Sequence, residues 1–300
     1  MTGERPMRIG IVGLGKIGFP VAKNLIASGH DVFGYRRSPM DDFTAIGGRA
    51  ATSPAAVGAA CDVVFSCMPD IDALRSIIEG EGGLLESARE GQIIVELGSH
   101  PVPAKEAFVT PLAAKGATFL DGEVAGTPGM IAARKANIFL AGPREAVDRV
   151  APAVKGISDV SLYLGAFGCA TKVKLANNIL VALDIAGAAQ AIAFGLKLGV
   201  EPELLLKALT TGSGSSTQLG IRGPWMIGRK FLPLQGPAPA LKYYLAQARA
   251  IADGSGIKTD IIDCLSGIFD RAIPLIGDRD VAAMLEYFEN QDDLIKGEHA

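Results

Sequence analysis

Six residues near the start, Gly13-Leu14-Gly15-Lys16-Ile17-Gly18, constrain this chain more than any others. They follow an apolar run, residues 8–12, that reads as a strand, and they open residues 16–28, which read as a helix. Each glycine has its own reason. Gly13 allows a tight turn, Gly15 lets the backbone approach a pyrophosphate, and Gly18 lets helix and strand pack together. The helix N-terminus adds N–H groups and a partial positive charge for the phosphates. Strand, turn and helix in that order point to a dinucleotide-binding crossover unit. The next strand ends in Tyr35-Arg36-Arg37-Ser38, with no acid before Asp41. An NAD site usually places an acid there to accept from the ribose 2′-OH, whereas two guanidiniums and a hydroxyl suit a 2′-phosphate. The expected cofactor is therefore NADP(H) in preference to NAD, held by Gly13 to Gly18 with Arg36, Arg37 and Ser38.

Further strands are expected at residues 62–67, 92–96, 117–121, 137–141 and 160–164, with helices at 71–79, 104–115 and 144–154 between them. Such alternation implies a doubly wound, mostly parallel sheet covered on both faces. Met68-Pro69 and Gly98-Ser99 follow two of these strands, at the C-terminal ends where open α/β sheets bind ligands. Beyond residue 165 the strand signal stops. Residues 168–198 form one apolar, Ala-rich stretch, a helix of ~45 Å that must be buried against other helices or a second subunit. Helices are expected at 202–210, 239–252, 261–272 and 281–289. The expected architecture is α/β: a Rossmann domain over 1–164, then an all-helical domain over 165–300 entered through that long helix.

Composition removes several function classes. The net charge is −3 over 300 residues, which leaves no electrostatic footprint for nucleic acid. The longest charge-free stretch, Ala208 to Ile221, is Ser/Thr/Gly-rich and shorter than a membrane span needs. Four scattered cysteines and three histidines show no metal-ligand spacing, so no metal site is expected and the thiols suit a cytoplasmic protein.

Gly165-Ala-Phe-Gly168-Cys-Ala-Thr-Lys-Val-Lys174-Leu-Ala-Asn177-Asn178 resembles the catalytic signature of the β-hydroxyacid dehydrogenases, which include 3-hydroxyisobutyrate and 6-phosphogluconate dehydrogenases. The glycine fingerprint, the Arg-Ser pair, the Met68-Pro69 and Gly98-Ser99 loops and the helical second half extend the resemblance over the whole chain. Lys174 and Asn178 stand at i and i+4, on one helix face. A lysine among Leu, Ala and Val is partly desolvated, which lowers its pKa toward usefulness as a proton donor or acceptor. The resemblance implies that Lys174 protonates a carbonyl oxygen in step with hydride transfer and that Asn178 orients the substrate. It also places Met68, Pro69, Ser99 and Lys242 against the cofactor. Lys172, two residues before Lys174, reads as a solvated lysine.

The chain departs from the family pattern in the substrate segment, Asp121-Gly122-Glu123-Val124-Ala125-Gly126-Thr127. Ala125 stands where the family has a serine donating to the substrate carboxylate, Glu123 where it has proline, and Thr127 where it has glycine. Met130, Ile131, Arg134 and Lys135 replace smaller residues, and Lys242-Tyr243-Tyr244 replaces Lys-Asp-Leu. The backbone amides of Gly126 and Thr127 are expected to hold a carboxylate, and Glu123 to be an exposed loop carboxylate. A substrate bulkier than hydroxyisobutyrate, lined by Trp225, Tyr243 or Tyr244, is the matching expectation. The function expected is NADP-dependent interconversion of a 3-hydroxy acid and its semialdehyde or ketone. The alternatives are an imine or bulky-carbonyl reductase and a non-catalytic NADPH-binding module. The apolar helix points to a homodimer or homotetramer.

Overall fold

In this computed structural model residues 7–289 are described. Eight strands form one sheet: β1 (Arg8–Val12), β2 (Asp31–Tyr35), β3 (Arg49–Ala50), β4 (Val63–Ser66), β5 (Ile93–Glu96), β6 (Thr118–Ala125), β7 (Asn137–Ala141) and β8 (Val160–Tyr163). Their order is β3-β2-β1-β4-β5-β6-β7-β8, and every neighbouring pair is parallel except β6 with β7. The segment 126–136 between those two is too short for a crossover connection, so the chain turns back on itself.

The pleat sorts the apolar residues of the central strands into two cores. Phe65, Ile93 and Val95 pack with Val21 and Leu25 of the helix Gly18–Ala27 and with Val150 and Val154 of the helix Arg144–Ile157. Val64 and Ile94 face the other way, against Val57, Leu74, Ile78 and Phe108. β4 and β5 are buried at every position, as strands covered on both faces must be. Each such side chain contributes roughly 1.5–3 kcal/mol. Caps set the helix starts: the Ser53 hydroxyl accepts from Ala56 N ahead of Pro54, and Asp70 accepts from Ala73 N ahead of Ile71–Glu79.

Several elements differ from expectation. The helix read over 104–115 is two, Val102–Glu106 and Val109–Ala113. Two-residue β3 is too short to show a period. β6 runs four residues past Asp121, through Ala125, so the segment read as a loop is strand. A short helix, Pro128–Ala132, follows it, and Thr217–Ile227 is helical where no helix was expected.

The helix Cys169–Lys197 is one continuous element of 29 residues. The chain divides into compact units at Lys174/Leu175, inside this helix and ten residues beyond the boundary read from sequence. The first turns carry Thr171 and Lys174, whose side chains bond to the sheet unit. The remainder supplies Ala182, Ile185, Ala189 and Ile192 to the core of the second unit, with Leu245, Phe269 and Met284. By length and composition this helix, alone among the described residues, could cross a membrane. Leu180 and Phe194 on it are exposed, as is Leu198 just beyond its end.

Asn24 shows how the sheet unit fixes its substrate segment. Its buried Nδ2 donates to Ile131 O at 2.6 Å and to Ile157 O at 3.0 Å, joining three helix ends. Asn24→Ala leaves two buried carbonyls unpaired and is expected to cost about 2 kcal/mol or more, read as a lower urea midpoint at unchanged slope.

Candidate active site

A cavity of about 720 Å³ opens at the C-terminal ends of β1 and β4. Ten of the residues expected at the cofactor line it: Gly13, Leu14, Gly15, Lys16, Ile17, Arg36, Arg37, Ser38, Met68 and Pro69. The glycine turn fits a dinucleotide. Gly13 has φ +96°, and a Cβ there would overlap Met68 and the Cys67 carbonyl. A Cβ at Gly18 would overlap the Gly13 carbonyl, which explains why this buried residue shapes the turn without lining the cavity. A Cβ at Gly15 would meet nothing, because the backbone there faces open space. No side chain caps the helix that follows, leaving its N-terminal dipole to the cavity.

The two arginines are not equivalent. Arg36 is committed to the turn: Nη1 donates to Leu14 O at 3.3 Å, Nε to Pro39 O at 2.8 Å, and its guanidinium pairs with Asp42. That hydrogen bond holds the Asp42 carboxyl below its usual range. Arg37 and Ser38 are exposed at the cavity mouth.

Beside this cavity, behind the ends of β5 and β6, lies a buried charged cluster that single-residue reading missed. Asp121 and Glu123 stand two apart on β6 and share a face of the sheet. Lys105 enters from the helix Val102–Glu106 and Thr171 from the long helix. All four are fully buried. Lys105 Nζ lies 2.6 Å from Asp121 Oδ1 and 3.7 Å from Glu123 Oε1, and donates to Gly98 O at 3.0 Å. Thr171 N donates to Asp121 Oδ2, and the Thr171 hydroxyl lies 2.7 Å from Asp121 Oδ1 and 3.1 Å from Glu123 Oε1. Ser99 Oγ donates to Glu123 Oε2 at 2.5 Å. Glu96 completes the group, accepting from Ser66 Oγ and Gly98 N, with His100 Nε2 at 3.5 Å. Glu123 is thus the opposite of the exposed loop carboxylate expected: strand pairing carries it inward, onto partners 24 and 48 residues away in sequence.

Lys174 Nζ donates to Val124 O at 2.9 Å, on the next residue of the same strand. Burial pulls the Lys174 pKa below the ordinary lysine value, and the Glu123 charge raises it only in part. Burial also raises the Glu123 pKa, against the fields of Lys105 and Lys174 and the Ser99 hydrogen bond. For Lys105 desolvation is outweighed by Glu123, Asp121 and Glu96, and the pKa rises. Asn178 is buried one helical turn beyond Lys174, with Nδ2 lacking a hydrogen-bond partner among the described residues. Lys172 is exposed, as expected.

Other expected site residues have structural occupations. Thr127 Oγ1 caps the helix Pro128–Ala132 by accepting from Met130 N. Ala125 packs against Phe139, Ala141 and Ala170, and a Cβ at Gly126 would meet Ala136. Ile131 is in the core, and Arg134 turns away to Gly156 O, Lys155 O and Asp159. These replacements for smaller residues therefore build the fold rather than add bulk to a pocket. In the second unit Lys242 pairs with Asp270, while Trp225 and Tyr244 pack against the core there.

Comparison with known proteins fits this geometry. The profile of the NAD binding domain of 6-phosphogluconate dehydrogenase matches residues 8–165, and that of the NAD-binding region of NADP-dependent 3-hydroxyisobutyrate dehydrogenase matches 168–288. The chain belongs to the β-hydroxyacid dehydrogenase family. It is 31% identical to L-threonate dehydrogenase of Cupriavidus necator, over 75% of this chain and 77% of that one. It is also 31% identical to 2-hydroxy-3-oxopropionate reductase of Escherichia coli, over 76% and 78%. Mycobacterium tuberculosis 3-hydroxyisobutyrate dehydrogenase, solved with L-serine, superposes with a TM-score of 0.85 at 21% identity, covering 95% of this chain and all of that one. As a β-hydroxyacid dehydrogenase, the protein is an NAD(P)-dependent oxidoreductase acting on CH–OH groups of small hydroxy acids.

Removing the cation at the centre of the cluster tests its weight. Lys105→Met leaves Asp121 and Glu123 buried without their nearest cation. It is expected to cost about 3–5 kcal/mol in denaturant-measured stability.

Proposed function

We propose that this enzyme uses NADPH in preference to NADH to interconvert a 3-hydroxy acid and its semialdehyde or ketone, with Lys174 as the general acid and base. The observation that carries the reading is Lys174 itself: a nearly buried ammonium that among the described residues makes one hydrogen bond, to Val124 O, leaving two N–H groups for a substrate oxygen. Its lowered pKa makes the proton at Nζ transferable nearer neutrality than that of a solvated lysine. The bound nicotinamide supplies or accepts the hydride. In reduction Lys174 gives its proton to the nascent alkoxide; in oxidation the neutral amine removes it from the hydroxyl. Asn178 orients that oxygen from the next helical turn, and the backbone amides of Gly126 and Thr127 receive the carboxylate that a serine would otherwise bind. A substrate at least as large as hydroxyisobutyrate fits the loss of that serine.

Gly13 to Gly18 would hold the pyrophosphate and Arg37 with Ser38 the 2′-phosphate, while Arg36 buttresses the turn. Met68 and Pro69 line the same cavity, and Ser99 follows Gly98, which also lines it. The exposed Leu180 and Phe194 on the long helix, with Leu198 just past its end, are the surface on which we place a second copy of the chain, giving a homodimer or a homotetramer. Light scattering on the purified chain checks this; a monomer at micromolar concentration overturns it.

Initial rates with NADPH and NADH across acid semialdehydes and larger ketones test the chemistry. Lys174→Ala is expected to lose turnover by at least about a hundredfold while NADPH fluorescence titration remains unchanged. Near-normal turnover in that variant overturns the role of Lys174. Equal efficiency with the two cofactors overturns the preference.

A further inference from the structure

The reaction needs Lys174 as an ammonium in one direction, yet its surroundings penalise charge. What compensates follows from the inventory of buried carboxylates facing it. Glu96, at the end of β5, is taken up by Ser66 Oγ and Gly98 N, with His100 beside it. Asp121 is taken up by Lys105 at 2.6 Å and by the backbone and hydroxyl of Thr171. Glu123 differs. Lys105 lies 3.7 Å from it, farther than from Asp121, and its other partners, Ser99 and Thr171, are neutral hydroxyls. Val124, whose carbonyl holds Lys174 Nζ, is the next residue in the strand. Glu123 is therefore the carboxylate whose strand neighbour holds Lys174, and Thr171, 3.1 Å from Glu123 Oε1, stands one turn before Lys174 on the long helix.

We propose that Glu123 is the counter-charge of Lys174, a carboxylate clamped by the Ser99 hydroxyl that holds Lys174 in its ammonium form. This makes Glu123 a positioning residue acting through Lys174, not one that touches substrate. The family pattern noted above has proline at this place, which brings no charge, so the device is this chain's own. Among the charges that act on Lys174, Glu123 is the one that raises its pKa, and Lys174 in turn lowers that of Glu123. Reciprocity of this kind is what a coupled pair requires.

The inference rests on the acid–base reading of Lys174 but is tested apart from it. In full-length protein carrying 13C at the lysine ε carbons, the Lys174 resonance is identified by its loss in Lys174→Met and titrated with pH. Glu123→Gln removes the charge and keeps the shape. Its Lys174 midpoint is expected to fall by about one pH unit, a tenfold loss of proton affinity. Rates follow the same sign. A lower midpoint means less ammonium at a given pH, so the falling limb of reduction and the rising limb of oxidation both move to lower pH. A merely structural loss would depress both directions without moving either limb.

Glu123→Asp keeps the charge but withdraws it from Ser99, and a part-way fall is expected. Should Glu123→Gln fail to melt cooperatively, that variant carries the test alone. A Lys174 midpoint unmoved in the folded variants overturns the proposal, whatever the activity of Lys174→Ala. A shifted midpoint together with normal turnover of Lys174→Ala supports the pairing and overturns the acid–base reading.

Discussion

The contact between Lys105 Nζ and Asp121 Oδ1, 2.6 Å apart and out of reach of water, is the interaction on which the site depends. Neither charge would survive alone at full burial, because desolvation of a single ion costs several kcal/mol even after relaxation. Together they bring three elements to one point: the middle of β6, the helix after the β5 loop, and the first turn of the long helix through Thr171. Lys174 lies one helical turn from Thr171, so the pair that anchors Thr171 also sets where Lys174 Nζ can reach. Gly98 belongs to the same arrangement. Its carbonyl accepts from Lys105 and its amide donates to Glu96, which places the β5 loop between cofactor cavity and charged cluster.

The acid–base role proposed for Lys174 requires that its burial be balanced by nearby charge. A fully desolvated lysine without a counter-charge loses its proton, and one paired tightly with a carboxylate keeps it. Here Nζ donates to the Val124 carbonyl, which constrains its position without taking the proton. The opposing pulls of burial and of Glu123 on Lys174 leave its pKa lowered, the direction a donor near neutrality needs. Cys67, at the same cavity, shows the other limit. Burial pushes its thiol far above the usual range, with the Glu96 charge adding to the effect, so it is an apolar wall rather than a nucleophile.

The fold was legible where local patterning decides it. Helix Ile71–Glu79 and strands Arg8–Val12 and Asn137–Ala141 lie where period and caps place them, and the glycine turn names its own ligand class. What stayed hidden depends on partners distant in sequence. Glu123 reads as a loop carboxylate because nothing within four residues shows that Ser99, Lys105 and Thr171 will enclose it. One signal was present: Asp121 and Glu123 at strand spacing, with apolar Leu120 and Val124 facing the other way. Two acids on one face of a strand that ends at a ligand site need cations, and Lys105 on the helix Val102–Glu106 supplies one. Arg36 and Arg37 illustrate the complementary limit, since sequence shows two adjacent guanidiniums but not that Leu14 O and Asp42 take the first.

The substrate segment departs from the family pattern at residue after residue, yet most of those changes answer to the fold. Thr127 starts a helix, Ile131 fills the core beneath Asn24, and Arg134 turns to the end of the helix Arg144–Ile157. Each fixes the path of the backbone after β6. The amides of Gly126 and Thr127 are then presented by a strand end and a capped helix start rather than by a flexible loop. A rigid pair of backbone donors can replace a lost serine hydroxyl, because a preorganised donor costs no side-chain entropy when a carboxylate arrives. Loss of a side-chain donor at Ala125 and gain of backbone rigidity around it are thus two sides of one change.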